Sequence, residues 1–221
     1  MKTLIGLNFT LIFLCFYFTV PAQAIMRDRD GNTYKTFVIH NKVWMAGNLN
    51  VAHYRNGDAI PEAKTSSDWD RYGENKTGCW CYYEFDGSNG KKYGKLYNWF
   101  AVADPRGLAP TGWHVPKDEE WLVFTDYKGN YVDNGRRMKT QEDWGMDKFC
   151  WGTNETGFSG LPGGTRSAGA FLGLGTVGNW WCSTEAELNF ARIRSLSSDL
   201  DELRINSAMK QGGNSVRCVK D

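Results

Sequence analysis

The chain has 221 residues, of which 41% are hydrophobic and 23% are charged, and its formal net charge is +1. These proportions indicate a globular protein long enough to bury a core, and they exclude a disordered or collagen-like chain. Without a basic excess, a broad surface for nucleic acid is not expected. The ten tryptophans predict either a very aromatic core or an aromatic face for a ligand.

Residues 1–24 have the pattern of a secretory signal peptide. Lys2 precedes an apolar stretch from Leu4 to Val20, and Ala22 and Ala24 place small residues at the two positions that a signal peptidase reads. We therefore expect cleavage after Ala24 and a single exported domain over residues 25–221, placed in the periplasm, at the cell surface or outside the cell. No membrane span is expected after cleavage.

Two alternatives to cleavage stay open. An uncleaved membrane anchor is disfavoured because the apolar stretch is at the short limit for a span. Lipid attachment at Cys15 is disfavoured because Leu14 stands where a lipoprotein signal prefers a small residue.

Five of the six cysteines belong to the predicted mature domain. In an exported chain, five cysteines predict two disulfides and one remaining thiol, and sequence alone leaves the pairing open. The disulfide candidates are Cys79, Cys81, Cys150, Cys182 and Cys218. A Cys79–Cys81 bridge would close a strained ring. The spacing of this pair is also wrong for zinc, and we expect no metal and no cofactor.

The first half of the mature chain mixes predicted strands and helices. After a turn at residues 28–32, β-rich runs predict strands from Thr33 to Ile39 and from Val43 to Met45. The turn resembles the start of a calcium loop, but Ile39 stands where such a loop needs Glu. Asn50 to Gly78 reads as a long loop.

Further along, Cys79 to Phe85 is β-like, and apolar spacing predicts helices from Lys95 to Asp104 and from Lys117 to Lys128. A glycine-rich region from Gly152 to Gly178 excludes long helices. Alternation in the C-terminal part then predicts an antiparallel meander: a turn at 199–202, a strand over 203–209 and a last strand with Val216 and Cys218 on one face.

Seven short strings in this order resemble a known family. They are Asp30-Gly31-Asn32 with Tyr34; Val43-Trp44-Met45 with Asn48-Leu49; Tyr93-Gly94 with Leu96-Tyr97-Asn98-Trp99; Pro110 to Pro116 with Glu120-Trp121; Gly157-Phe158-Ser159 with Leu161 to Gly164; Trp180-Trp181 with Ser183-Thr184-Glu185; and Ser215 to Val219. Together they resemble the Fibrobacter succinogenes major paralogous domain family over residues 28 to 221.

This resemblance implies an α+β fold of the C-type-lectin-like kind. Such a domain has two helices, small twisted antiparallel sheets, a long Gly-rich loop region and terminal strands that meet. Family members are typically exported proteins of gut and rumen bacteria, often at the cell surface, and no established activity provides catalytic residues to transfer. The expected function is therefore a non-catalytic adhesion or binding module.

The chain departs from the family pattern at two sulfur positions. Ala109 replaces a usual cysteine, and Cys182 replaces a usual serine. The resemblance implies that Cys218, without its usual partner, pairs with Cys182. Cys150 would then pair with Cys79 or Cys81.

A third departure from the family is Lys117, where the family prefers Ser. Lysine cannot accept the hydrogen bond of a helix cap, a loss of about 1 kcal/mol.

The predicted ligand site lies in the Gly-rich region. Its candidates are Trp180, Trp181, Arg166 and Phe171, since aromatic rings can stack on sugars. Because Trp180 and Trp181 are adjacent on a predicted strand, one should face inward and the other outward.

The remaining tryptophans divide by their position in the motifs. Those in family strings are expected to be scaffold residues, and those outside the strongest strings are expected to be exposed. The first group is Trp44, Trp99, Trp113 and Trp121; the second is Trp69, Trp80, Trp144 and Trp151.

Three alternative functions differ in their support from the sequence. Calcium-dependent sugar binding lacks its usual sequence triplets. A formylglycine-generating-enzyme-like oxidoreductase needs a reactive cysteine pair, for which Cys182 and Cys218 are the candidates, and a buried bridge fits them better. A structural surface protein that binds a protein partner is not separated by sequence from a glycan-binding module. His40, His53 and His114 show no metal-ligand spacing.

Overall fold

The computed structural model describes residues 25–125, 132–145 and 151–221. The predicted signal peptide, Cys15 and Cys150 lie outside the described residues.

Short strands and short helices alternate along the described chain. The strands are β1 (Ile25–Arg27), β2 (Thr33–Ile39), β3 (Lys42–Met45), β4 (Trp80–Cys81), β5 (Leu96–Tyr97), β6 (Trp113–His114), β7 (Gly163–Ser167), β8 (Ala170–Leu174), β9 (Val177–Glu187), β10 (Phe190–Ser197), β11 (Arg204–Met209) and β12 (Val219–Lys220). The helices are α1 (Ser66–Glu74), α2 (Gly87–Tyr93), α3 (Trp99–Val102), α4 (Leu122–Thr125) and α5 (Asn134–Met138), and 3₁₀ turns cover Tyr83–Phe85 and Asp118–Trp121. The α+β class is therefore confirmed, but two finer expectations are wrong. The described residues contain five short helices instead of two, and the expected Gly-rich loop region contains β7 and β8.

The first sheet joins the two ends of the described chain. Its strand order is β1-β2-β3-β12-β6. His40 and Asn41 both have positive φ, 44° and 65°, which is the backbone geometry that a two-residue hairpin between β2 and β3 requires. Val219 of β12 pairs with Trp44 on one side and with His114 on the other. The two strands predicted near the start are confirmed, and the terminal strands meet.

The second sheet is built from the C-terminal part of the chain. Its order is β11-β10-β9-β7-β8, with antiparallel pairing except for the parallel contact of Gly164 with Gly178. The predicted meander is confirmed in β9, β10 and β11. The last strand is displaced from the prediction, since β12 contains neither Val216 nor Cys218, although both residues are buried in the same hydrophobic cluster.

Strand β9 separates two of the three hydrophobic clusters in the described chain. Trp181 lies in the first core, with Trp113 and Cys218. Trp180 lies in the second core, with Trp121. Successive side chains of a strand point to opposite faces, so β9 is covered on both sides along this stretch. A third core surrounds α1, β4 and β5.

Two expected elements are corrected by the structure. The predicted loop from Asn50 to Gly78 contains α1, whose first turn is capped because Thr65 accepts a hydrogen bond of 3.1 Å from the Asp68 N–H. The predicted helix from Lys95 to Asp104 shrinks to α3. The pairing of Leu96 and Tyr97 with β4 outweighs the helical spacing of the apolar residues.

Two further predictions hold in part. The predicted strand from Cys79 to Phe85 becomes β4 followed by a 3₁₀ turn. The helix predicted from Lys117 to Lys128 begins as the 3₁₀ turn Asp118–Trp121 and continues as α4, and its end lies outside the described residues.

The missing serine cap at Lys117 is replaced from elsewhere in the fold. The hydroxyl of Thr184 on β9 accepts a hydrogen bond of 2.9 Å from the Asp118 N–H. The carboxylate of Glu120 accepts one of 3.0 Å from the Lys117 N–H. A residue distant in sequence thus compensates for a cap that the local sequence lacks.

Candidate functional site

The aromatic pair predicted to bind a ligand is buried. Trp180 and Trp181 both have 0% exposure, so the expectation that one faces outward is wrong. The Trp180 indole N–H donates to the side chain of Asn48 at 2.8 Å, and that of Trp181 donates to the Tyr97 carbonyl at 2.7 Å. With both faces of β9 covered, neither ring is available for stacking on a sugar.

The other tryptophans divide differently from the prediction. The four in family strings are buried, as expected of scaffold residues. Of the four expected to be exposed, only Trp151 is, at 53%. The indole N–H groups of Trp69, Trp80 and Trp144 donate to backbone carbonyls. A tryptophan outside the family strings is therefore not necessarily at the surface, because the rings of Trp69, Trp80 and Trp144 fill the core as those inside the strings do.

The predicted disulfide between Cys182 and Cys218 is not present. Cys79, Cys81, Cys182 and Cys218 are all free and buried, and Cys150, the expected partner of Cys79 or Cys81, lies outside the described residues. Cys182 shares the face of Trp180 in the second core, whereas Cys218 lies in the first core. Side-chain alternation along β9 thus directs the Cys182 sulfur away from Cys218.

These thiols lack the features of a reactive pair. Burial raises the pKa of Cys182 to about 12, and burial also raises the pKa of Cys218. A high pKa keeps a thiol protonated and unreactive. The cysteine pair required by an oxidoreductase like the formylglycine-generating enzymes is therefore not assembled from Cys182 and Cys218.

Arg166 and Phe171 do lie together. The guanidinium carbon of Arg166 is 5.0 Å from the centre of the Phe171 ring, and the rings of Phe85 and Trp69 lie at 5.3 and 5.7 Å. Arg166 is 2% exposed, and its Nη1 donates to the Gly169 carbonyl at 3.3 Å. Cation–π contact and an ion pair of 3.4 Å between Arg166 Nη2 and Asp70 Oδ1 hold the guanidinium, and Arg166 forms part of the wall of a cleft.

This polar cleft has a volume of about 550 Å³ and lies on the second sheet. One end of this sheet face packs against the first core through Trp181 and Ile193, and the other end is open. Its floor and walls come from β7, β9, β10, β11 and the segment that follows β11. Its polar lining side chains include those of Thr165, Asn179, Ser195, Arg204, Asn206 and Asn214.

The strand register places these polar side chains side by side. Ser195 pairs with Asn179 of β9 and with Arg204 of β11. Residues directly opposite on neighbouring strands share a face, so the three form one row across the sheet. Asn206 donates to the Ser195 hydroxyl at 3.1 Å. The alternation of apolar and polar residues in the meander strands could have pointed to this row. Alternation alone does not show which face of the sheet is exposed to solvent.

Two amide atoms of the cleft have no hydrogen-bond partner. They are Asn179 Oδ1 and Asn214 Nδ2. Asn214 is 1% exposed, and its Oδ1 is held by a hydrogen bond of 2.7 Å from the Thr165 hydroxyl. The Ser215 N–H donates to the Asn179 carbonyl at 3.0 Å, which fixes this segment against β9. Two residues that line the cleft therefore carry an unpaired acceptor and an unpaired donor that are shielded from solvent, and buried polar groups of this kind are costly to leave unpaired.

The chemistry of the cleft is that of neutral hydrogen bonding. Amides and hydroxyls form its floor, and its charged lining residues are Arg166, Asp199 and Arg204. Within the described residues, no group of three potential metal-ligating side chains is found. No helix in the described part of the chain is long and apolar enough to span a bilayer.

Comparison with known proteins identifies one family. The model of the Fibrobacter succinogenes major domain matches residues 38–220 of the chain. No curated protein and no solved structure is detectably similar to it.

Proposed function

The chain belongs to the Fibrobacter succinogenes major domain family, and we propose that it is an exported, non-catalytic module that binds a neutral carbohydrate in the polar cleft. The proposal includes a C-type-lectin-like fold, secretion by the signal peptide of residues 1–24 and a final place at the cell surface. Three features of the chain support it.

The first support is the pair of unpartnered amide atoms. An alcohol hydroxyl both donates and accepts hydrogen bonds. A sugar hydroxyl can therefore accept from Asn214 Nδ2 or donate to Asn179 Oδ1 once side-chain movement exposes these buried atoms, and the hydroxyl of Ser195 offers a further contact in the row of Asn179. This complementarity favours a polyhydroxylated ligand over an apolar one.

The second support is the charge of the cleft. Its floor has no carboxylate, and the two exposed charged residues on its lining, Asp199 and Arg204, have opposite signs. A neutral sugar can enter such a site without the desolvation cost of burying an unpaired charge.

The third support concerns the fold. Strand β12 pairs with the N-terminal hairpin, and the second sheet is curled and accompanied by short helices. These features agree with a lectin-like domain, in which a rigid base carries the binding surface. Signal-like residues 1–24 support exposure of that surface to extracellular glycans.

A glycan array followed by calorimetric titration of the best sugar tests the proposal. Asn179→Ala should weaken binding about tenfold or more, because it removes a hydrogen bond to the ligand. Asn56→Ala, in an exposed turn outside the cleft, is the matched control and should bind like wild type. Absence of any glycan binding, or binding insensitive to Asn179→Ala, contradicts the proposal.

A protein partner is the second candidate, and the outer edge of the second sheet favours it. Strand β8 is an edge strand, and its Leu172 and Leu174 are exposed at 51% and 36%. An exposed apolar edge can pair with a strand of another protein. A pull-down on surface proteins that is lost in Leu172→Ser, together with a blank glycan array, would replace the carbohydrate proposal with this one.

A further inference from the structure

A second polar cavity, separate from the polar cleft, carries a concentration of arginines. It has a volume of about 370 Å³ and is lined by Arg27, Arg29 and Arg55 together with His53 and the loop around Pro110. We propose that this arginine pocket binds a phosphate or sulfate group. The ligand class follows from the number of guanidinium groups, the backbone-held orientation of Arg55 and the hydrogen bonds that engage the neighbouring carboxylates.

Arg55 is held in place by the backbone. Its Nε donates to the Ala109 carbonyl at 3.0 Å, and its Nη2 donates to the Trp113 carbonyl at 2.7 Å. Neither partner carries a negative charge, so the guanidinium keeps its full positive charge while its orientation is fixed. A donor that is oriented before binding loses little entropy when an anion arrives.

Arg29 is placed by a glycine. Gly57 has a φ of +103°, and a Cβ on it would lie 2.8 Å from Arg29 Nη1. The missing side chain lets the guanidinium lie over the turn that contains Gly57, at the wall of the pocket. Any larger residue at position 57 would push Arg29 away from this position.

The carboxylate of Asp28, which lines the pocket, already accepts hydrogen bonds from within the protein. Asp28 accepts hydrogen bonds from the Asn32 N–H at 2.9 Å, from Asn32 Nδ2 at 2.8 Å and from the Tyr34 hydroxyl at 2.6 Å. These contacts direct its charge into the turn at residues 28–32.

The neighbouring Asp30 is occupied as well. It accepts from the Ala52 N–H at 2.5 Å and contacts His53 Nδ1 at 2.6 Å. Within the described residues, Arg27, Arg29 and Arg55 form no ion pair with these or other acids. The pocket therefore has an excess of positive charge that the protein does not neutralise.

A tetrahedral oxyanion matches this arrangement. Arginine forks recognise phosphate and similar anions through paired, charge-assisted hydrogen bonds. The same chemistry is offered by a phosphorylated or a sulfated ligand, and separate titrations distinguish the two. The arginine pocket is separate from the polar cleft. The phosphate or sulfate proposal and the carbohydrate proposal can therefore be refuted independently.

The test is a titration of the purified protein with inorganic phosphate and, separately, with inorganic sulfate at constant ionic strength, followed by NMR of the arginine Nε–Hε signals. We expect saturable shifts with at least one anion. Arg29→Gln should weaken the affinity about tenfold or more, since it removes a charged hydrogen-bond donor. Lys91→Gln removes the same charge from a surface position outside the pocket and serves as the matched control.

Arg27→Gln provides a second variant, because Arg55→Gln also removes two bonds that hold backbone carbonyls and can fail to fold. Thermal unfolding of each variant shows which are folded. The proposal is overturned if neither anion binds saturably, or if Arg27→Gln and Arg29→Gln bind both anions as well as Lys91→Gln does.

Discussion

The indole nitrogen of Trp180 donates a hydrogen bond of 2.8 Å to the side-chain oxygen of Asn48, a residue 132 positions earlier in the chain. The same oxygen accepts a second bond, of 2.7 Å, from Nε of the fully buried Arg217. Asn48 Nδ2 donates in turn to the Tyr93 carbonyl at 2.8 Å. One amide therefore connects four segments that lie far apart in the sequence.

Replacement of this amide should destabilise the fold strongly. Asn48→Ala leaves the Trp180 N–H and the Arg217 Nε without a buried acceptor, which should lower the free energy of unfolding by about 3 kcal/mol or more. Urea denaturation measures the loss. Asn56→Ala, whose side chain bonds within an exposed turn, should change stability little; equal effects for the two variants would contradict this account of Asn48.

The buried tryptophans should behave as core residues. Trp181→Ala should cost about 3–5 kcal/mol of stability, as large-to-small core substitutions do. Trp151→Ala is the matched control, because its ring is exposed at 53%, and it should remain near wild type. A Trp181→Ala protein with unchanged stability but altered ligand binding would contradict this core role and support an aromatic binding site.

The four described cysteines should be protected in the native protein. Because burial raises the pKa of each of these thiols, we expect slow alkylation under native conditions and rapid alkylation in denaturant without reductant. Peptide mapping of the alkylated chain provides the measurement. A Cys182–Cys218 peptide that resists alkylation until it is reduced would refute the free-thiol arrangement and support the bridge implied by the family pattern.

Acid should weaken the contact between β6 and the turn at Asp118–Trp121. His114 contacts Glu120 Oε2 at 2.9 Å through Nε2 and Asp221 Oδ1 at 2.6 Å through Nδ1, and Lys42 Nζ lies 3.6 Å from Glu120. Burial alone would raise the pKa of Glu120, but the Lys117 N–H and His114 outweigh burial and hold the pKa below its ordinary value of 4.5.

The direction of the pH effect follows from that lowered pKa. A carboxyl group with a lower pKa in the folded state stabilises the protein above its unfolded pKa, and this contribution is lost as the pH falls through the folded value. Glu120→Gln should therefore cost about 1 kcal/mol at neutral pH, and its difference from wild type should shrink below about pH 4.5. Urea denaturation at several pH values measures this difference.

The neighbouring exposed residue supplies the control for this measurement. Glu119→Gln should differ little from wild type across the same pH range, since Glu119 lies on the exposed side of the turn. A Glu120→Gln difference that does not change with pH would show that the carboxylate charge contributes nothing here.

Local patterns were reliable where the physical cause was local. The hairpin between β2 and β3 and the strands of the meander follow from turn residues and from two-residue alternation, which act over a few positions. Helix prediction failed at Lys95 to Asp104 because cross-strand pairing of Leu96 and Tyr97 overrode local spacing. The helix α1 was missed because it lies within a polar stretch, although Thr65 and Asp68 offered a capping signal.

The sequence by itself determined the α+β class, the family and the order of the shared motifs, since these depend on residue types and their spacing. Only the tertiary structure decided which sulfurs meet, which tryptophans are buried and which sheet face stays open. Alternation along β9 shows that Trp180 and Trp181 point in opposite directions, but whether a second face is covered depends on residues more than a hundred positions away. The polar cleft and the arginine pocket could not be predicted for the same reason, because each is built from segments that are distant in sequence and meet only in the folded protein.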